Sequence, residues 1–507
     1  MSAPSRAPRH SPGSAPSSVP PFPPAPVSGA PAAADAADTD SLTWGKRIAY
    51  GFGGMTDRLG NQGIKDLGNP LYNLVLGINP ATIGIVFVVT RLFDAFLDPF
   101  AGNLSDNTRS RWGRRRPFMF VGAILSALTI VPLFWMPRSL GPAGQVVWML
   151  GTTIPFFVAF TLFSVPYRAF AYELAPGYHE KTRLLAVRNA FTMALALLVP
   201  WVFPLVQSGW IGEPRDAIRW VSICLGLIVL VSALIPTIFV REPASVTAAI
   251  RSQRRIPLRE SLGHALRCRP FLVLLGMGAA TVAGVNAGFG FGSYVGIYHV
   301  FGGDKRAAAP LLGWVGTVFV VSSLVSIPLI TAVSRRIGKR NTLVLALLWG
   351  CCSAGSWWFY TPSVPALQLL APLFLGPATI GLWLLGESMV ADICEVEALR
   401  TGERNEAVFS ALFGWIMKTG TALAILGFNM LLNGVGFDVS LTEGQGSGTL
   451  LGMRIIYALL PATGFAVSIA FLTRSRHDER RAVCCFPPPP PAPPLINGDW
   501  LDHPTVR

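Results

Sequence analysis

Of the 507 residues 51% are hydrophobic and 13% charged, and the mean hydropathy is +0.48; soluble domains carry about 25% charged residues, so this is an integral membrane protein. The net charge of +14 is no nucleic-acid footprint, because the basic residues fall mainly in short loops between apolar runs and no DNA- or RNA-binding motif occurs. Seven cysteines without CxxC or His-paired spacing exclude a zinc site and read as small hydrophobes.

Residues 1–43 are largely Pro, Ala and Ser, too poor in apolar side chains to offset their ordering entropy, and a disordered tail is expected there. They contain no apolar h-region and are not a signal peptide. Twelve spans follow, near 45–76, 81–106, 117–137, 145–175, 184–208, 217–240, 270–300, 310–333, 341–361, 365–391, 407–434 and 449–473. They predict an all-α membrane protein of twelve transmembrane helices. The longest internal loop, 241–269, is a basic linker that divides six spans in 44–240 from six in 270–475; residues 476–507 form a proline-rich, extended tail.

The first span holds Asp57, Arg58, Asn61, Gln62, Lys65 and Asp66, so it needs shielding by other helices and should line a cavity. In the second, Arg91, Asp94 and Asp98 stand at i, i+3 and i+7 on one helix face at membrane depth. Two carboxylates a turn apart offer hard oxygen ligands to a small cation, or hold a proton when desolvated. The competing role is structural pairing with Arg91, Arg188 or Lys418, but charges at that depth default to function. Asn61 and Asn286 are candidate hydrogen-bonders for a substrate, and Trp383 is one of several aromatic residues able to stack on a sugar ring.

Loops after even-numbered spans are basic and those after odd-numbered spans are not, which with an even span count puts both termini in the cytoplasm. Arg111-Trp112-Gly113-Arg114-Arg115 recurs as Arg336-Ile337-Gly338-Lys339-Arg340, each between the second and third span of its half. Two six-helix bundles in parallel repeat, with a site between them at mid-membrane, form the architecture of the major facilitator transporters. Asp106, Arg111, Arg114, Arg115, Asp392, Glu395 and Arg404 then read as a cytoplasmic gate network.

The stretch RLFDAFLDPFAGNLSDNTRSRWGRRRP, Arg91 to Pro117, resembles the signature of the glycoside–pentoside–hexuronide:cation symporters, the melibiose-permease-like branch of the major facilitator superfamily. The stretch from Val165 (VPYRAFAYELAPGYHEKTRLLAVRNAF) resembles that family's fourth and fifth helices. The stretch from Met389 (MVADICEVEALRTGERNEAVFSA) resembles its tenth-to-eleventh loop, and Lys418 sits where the family carries a helix-eleven lysine. The resemblance implies symport of a sugar-like solute with a monovalent cation, no further cofactor and no metal. It makes Asp94 and Asp98 the cation-coupling carboxylates and Asp57, Arg58, Asn61, Arg168, Arg188, Asn286, Trp383 and Lys418 the substrate-site candidates. Ser164 replaces a family aspartate, Arg168 a sugar-stacking tryptophan, and Arg58 matches the sugar-binding aspartate with Asp57 one position early. These departures count against a galactoside and leave H⁺ and Na⁺ both open as the coupling ion. A lysolipid is the alternative solute. No HExxH, P-loop or intramembrane histidine pair points to an enzyme, and a channel would not explain buried carboxylates beside a lysine and an arginine in two repeated halves. The expected partners are the solute, the cation and the lipid bilayer, with no nucleic acid, and the expected state is a monomer.

Overall fold

The computed structural model describes residues 42–108, 110, 112–175, 178–241, 266–401, 406–438, 441 and 445–483. Nearly all of the 1–43 tail, residues 242–265 of the linker and residues 484–507 lie outside that set, as do Arg111 and Arg404 and the side chain of Asp106.

All regular elements among the described residues are helical. The first span covers 44–75, the second Pro80–Asn107, the third Arg116–Leu133, the fourth Pro142–Leu174, the fifth 178–207 and the sixth Pro214–Phe239. The seventh covers 269–300, the eighth Lys305–Ile337, the ninth Lys339–Trp357, the tenth 365–401, the eleventh Glu406–Gly434 and the twelfth Ser447–Val483. Ten helices among the described residues are long and apolar enough to cross a membrane. The first span and the ninth fall short. One carries the polar residues already named, and the other opens on Lys339, Arg340 and Asn341. The tenth and twelfth helices run about ten residues past their apolar stretches, because the Glu-, Arg- and Ala-rich sequences that follow are good helix formers once free of the bilayer.

Packing repeats between the halves. The first span packs on the fifth and sixth, the third on the fourth and sixth, and the second on the fourth. In the other half the seventh packs on the eleventh and twelfth, the ninth on the tenth and twelfth, and the eighth on the tenth. Two seams join the halves: second span against eleventh, and fifth against eighth. This is the two-bundle major facilitator arrangement. One apolar core fills the first bundle, around Phe156, Phe157 and Phe160, and another the second, around Phe271, Phe413 and Phe465. A third, joining Leu74 and Phe203 to Tyr294, Trp357 and Phe428, closes the end remote from the basic loops.

The duplicated loop motif folds alike in both copies. Gly113 has φ 101° and Gly338 φ 82°, a left-handed conformation that residues bearing a Cβ rarely adopt. The basic residue that follows each reaches an acid at the end of a neighbouring helix: Arg114 meets Glu173 of the fourth span, and Lys339 meets Asp392 of the tenth at 2.6 Å.

Candidate functional site

Glycines in the first span let it approach its neighbours closely enough to set the site. A Cβ would fall 2.4 Å from Tyr167 if added at Gly53, 2.8 Å from the Arg188 carbonyl oxygen at Gly54, and 2.3 Å from Phe160 at Gly60. This approach brings Asp57 onto two arginines. Arg168 Nε donates to Asp57 Oδ1 at 3.0 Å, Arg188 Nη2 lies 3.8 Å from Oδ2, and Asn61 Nδ2 donates to Oδ1 at 3.0 Å. The helix widens into a π turn over Leu59–Gly63, and such bulges displace backbone carbonyls from their usual partners. Arg91 takes up one of them, its Nη2 donating to the Asn61 carbonyl at 2.7 Å, while its guanidinium lies over the Phe157 ring.

From Arg91 the charge network continues along the second span. Arg91 Nη1 is 3.6 Å from Asp94 Oδ2, and Thr161 Oγ1 of the fourth span donates to Asp94 Oδ1 at 2.9 Å. Lys418 of the eleventh span places its Nζ 2.6 Å from Asp98 and 3.4 Å from Asp94. Asp94 is 1% exposed, whereas the Asp98 side chain is 30% exposed. One carboxylate is thus locked in protein, and the other is partly accessible. Among the described residues no three or more His, Cys, Asp or Glu side chains gather as a metal site.

A chamber of about 480 Å³ lies between the halves, within the roughly 300–1,000 Å³ typical of small-molecule sites. Arg58, Lys65, Asp66, Asn286 and Trp383 line it. Lys65 Nζ donates to Asn286 Oδ1 at 2.9 Å, a bond between the first and seventh spans. Beyond it Tyr294 donates to Asn73 at 2.7 Å, Lys305 to the Leu74 carbonyl at 3.0 Å and Arg306 to the Ser208 carbonyl at 2.9 Å. These bonds join the halves at the end remote from the basic loops.

At the basic-loop end Arg114 and Lys339 each pair with an acid of their own half. Arg115 Nε donates to Glu173 Oε1 at 2.8 Å beside Arg114. Arg116 caps the sixth span at the Thr237 and Ile238 carbonyls, where cations satisfy exposed helix carbonyls, and Arg340 donates to the Leu472 carbonyl inside the twelfth. Glu395 shows no ion pair among the described residues.

The expected residues therefore separate into groups. Asp94, Asp98 and Lys418 come together as one cluster. Asp57, Asn61, Arg168 and Arg188 form a second. Arg58, Asn286 and Trp383 line the chamber, which Lys418 does not. Sequence reasoning missed Glu173 as the partner of the loop arginines, and Trp357 and Gln368 as chamber-lining groups.

The model of the MFS/sugar transport protein family matches residues 49–479. The chain belongs to that family. This family member is 24% identical over 437 residues to the isoprimeverose transporter of Lactiplantibacillus pentosus, covering 84% of this chain and 87% of that protein. It is 27% identical over 412 residues to the glucuronide carrier protein homolog of Escherichia coli strain K12, covering 79% and 85%. Its fold is that of the nucleoside transporter NupG, with a TM-score of 0.60 at 13% identity, covering 85% of this chain and 99% of that one. It is an integral membrane transporter, not an enzyme, and it resembles proteins named as symporters and carriers of small molecules.

Proposed function

We propose that the protein is a cation-coupled symporter of a sugar or glycoside working by alternating access, with both termini in the cytoplasm. The observation that carries this reading is the bridge of Lys418 across Asp94 and Asp98, because it also joins the second and eleventh spans across a seam between the halves. An arriving cation or proton competes with the ammonium for the carboxylates. Once they are neutralised, Lys418 no longer holds that seam, and loading of the ion is linked to movement of the bundles. With the ion gone the ammonium returns, so the empty carrier can cycle back. Two carboxylates and the Thr161 hydroxyl give few oxygens for a metal cation, and Ser164 removes a further carboxylate, which favours H⁺ over Na⁺. The bonds at the end remote from the basic loops support a state closed to the outside.

The named sugar-type carriers among its relatives support a sugar-like solute, and the polar groups of the chamber suit one. The test is uptake into proteoliposomes, with a panel of sugars and glycosides crossed against imposed H⁺ and Na⁺ gradients. Saturable accumulation under a proton gradient is the expected result. Accumulation indifferent to every cation gradient would overturn the coupling.

A further inference from the structure

Resting on the alternating-access reading, we propose that Lys65 and Asn286 are the controlling contact of the outer gate. They form the inner rung of a two-rung zipper between the first and seventh spans, and the outer side opens from that rung. The first observation is register. Lys65 donates to Asn286 and Tyr294 donates to Asn73, and the two members of each pair stand 221 positions apart in sequence. The rungs are therefore eight residues apart on each span, about two helical turns, and fall on one face of each helix. These spans are the first of their respective halves, and holding one register over that length makes them close and part as a unit.

The second observation is that the two rungs are built differently. Asn73 and Tyr294 are each 1% exposed, Tyr294 belongs to the third apolar core, and the Asn73 amide is committed at both ends, since its Nδ2 donates to the Ile78 carbonyl at 2.7 Å. Parting that rung first would strand two buried polar groups. Lys65 and Asn286 instead line the chamber, and Lys65 has Asp66 3.7 Å away to hold its charge when it leaves Asn286. The zipper therefore parts from the chamber outward, and its first contact lies within reach of a solute. A hydroxyl that takes the hydrogen bond of Lys65 or Asn286 replaces the rung, and the rung, when remade, displaces the hydroxyl. The acceptors at this end, Asn286, Asn73 and the Leu74 and Ser208 carbonyls, are neutral, so protons act on the Lys418 seam and leave this gate alone.

The test is the rate at which a membrane-impermeant maleimide, added from outside to right-side-out vesicles, labels Ser323→Cys on the chamber wall. The full chain is used, with its seven native cysteines replaced by alanine, and no solute is needed. Lys65→Met and Asn286→Leu should each raise that rate about tenfold. The double variant should do no more than either alone, because both changes remove one bond. Asn286→Asp turns the acceptor into a carboxylate, strengthens the rung and should lower the rate about threefold below the parent, the opposite of what a loosened fold would do. Unchanged rates in Lys65→Met and Asn286→Leu, additive effects in the double variant, or a rate not lowered in Asn286→Asp would overturn the gate and leave the alternating-access reading in place. Passage of the maleimide through the protein into the vesicle lumen would mark an open channel, and would overturn that reading and the gate with it.

Discussion

Lys418 Nζ stands 2.6 Å from Asp98 Oδ2, and the two residues belong to opposite halves of the molecule, 320 positions apart in sequence. Replacing Asp98 with Asn should therefore abolish accumulation driven by an ion gradient while leaving exchange of solute down its own gradient. Because the Asp98 side chain is partly exposed, its loss should leave thermal stability near that of the parent. Asp94→Asn should remove coupling too, and should also destabilise, by about 3 kcal/mol, because Arg91 is left buried beside a neutral amide. Thermal unfolding and uptake assays on the two variants separate these effects. Normal uphill accumulation with both aspartates replaced would place coupling elsewhere.

Removing the lysine acts in the opposite sense. In Lys418→Met the two carboxylates lose their shared counter-ion and repel each other, so an added cation is held more tightly and leaves more slowly. Net uptake should fall about tenfold while exchange with the ion present on both sides persists. Equal loss of uptake and exchange would show that Lys418 is needed for solute binding instead.

The basic loops give a third expectation. Glu173→Gln removes one acid from Arg114 and Arg115, and Asp392→Asn removes one from Lys339 in the other half. Each should alter how often the basic-loop end opens, read as the labelling rate of a cysteine introduced in the chamber, and neither should alter the ranking of solutes. A changed ranking would remove these pairs from the gate.

Close approach of the first span can be tested by a single methyl group. Gly60→Ala drives a Cβ to 2.3 Å from the ring of Phe160, which is packed in the core of the first bundle, and should cost about 1–3 kcal/mol. At Gly151, where a Cβ meets nothing within 4 Å, the same change should be neutral or slightly stabilising. Thermal unfolding in detergent distinguishes them, and equal melting temperatures would refute the packing account.

The spans were legible because hydropathy, not tertiary context, decides what enters a bilayer. The seam was legible for a related reason: Asp94, Asp98 and Lys418 are costly at membrane depth, so each signals its presence. The chamber was less so. Arg58, Asn286 and Trp383 were foreseen, but Trp357 sits in a Trp-Trp-Phe-Tyr run that reads as an interfacial belt, and Gln368 is one amide in a short 3₁₀ turn at the start of an apolar span. Whether such groups find partners depends on helices far away in sequence. Glu173 had a local signal, an acid ending the fourth span, but its pairing with Arg114 and Arg115 required knowing which helix ends meet.

The two seams between the halves differ in chemistry. Between the second and eleventh spans an ionic contact, Lys418 with its aspartates, lies beside the packing of Gly84 on Leu426 and Asn429. Between the fifth and eighth it is packed tightly, with Pro200 and Pro204 against Gly316 and Gly313 and a hydrogen bond from Trp201 Nε1 to Thr317 at 2.9 Å. Only the first can be loosened by an ion. Cargo ions and protons thus act on one edge of the molecule, while the other serves as a smooth bearing whose resistance is set by shape and is the same whether the carrier is loaded or empty.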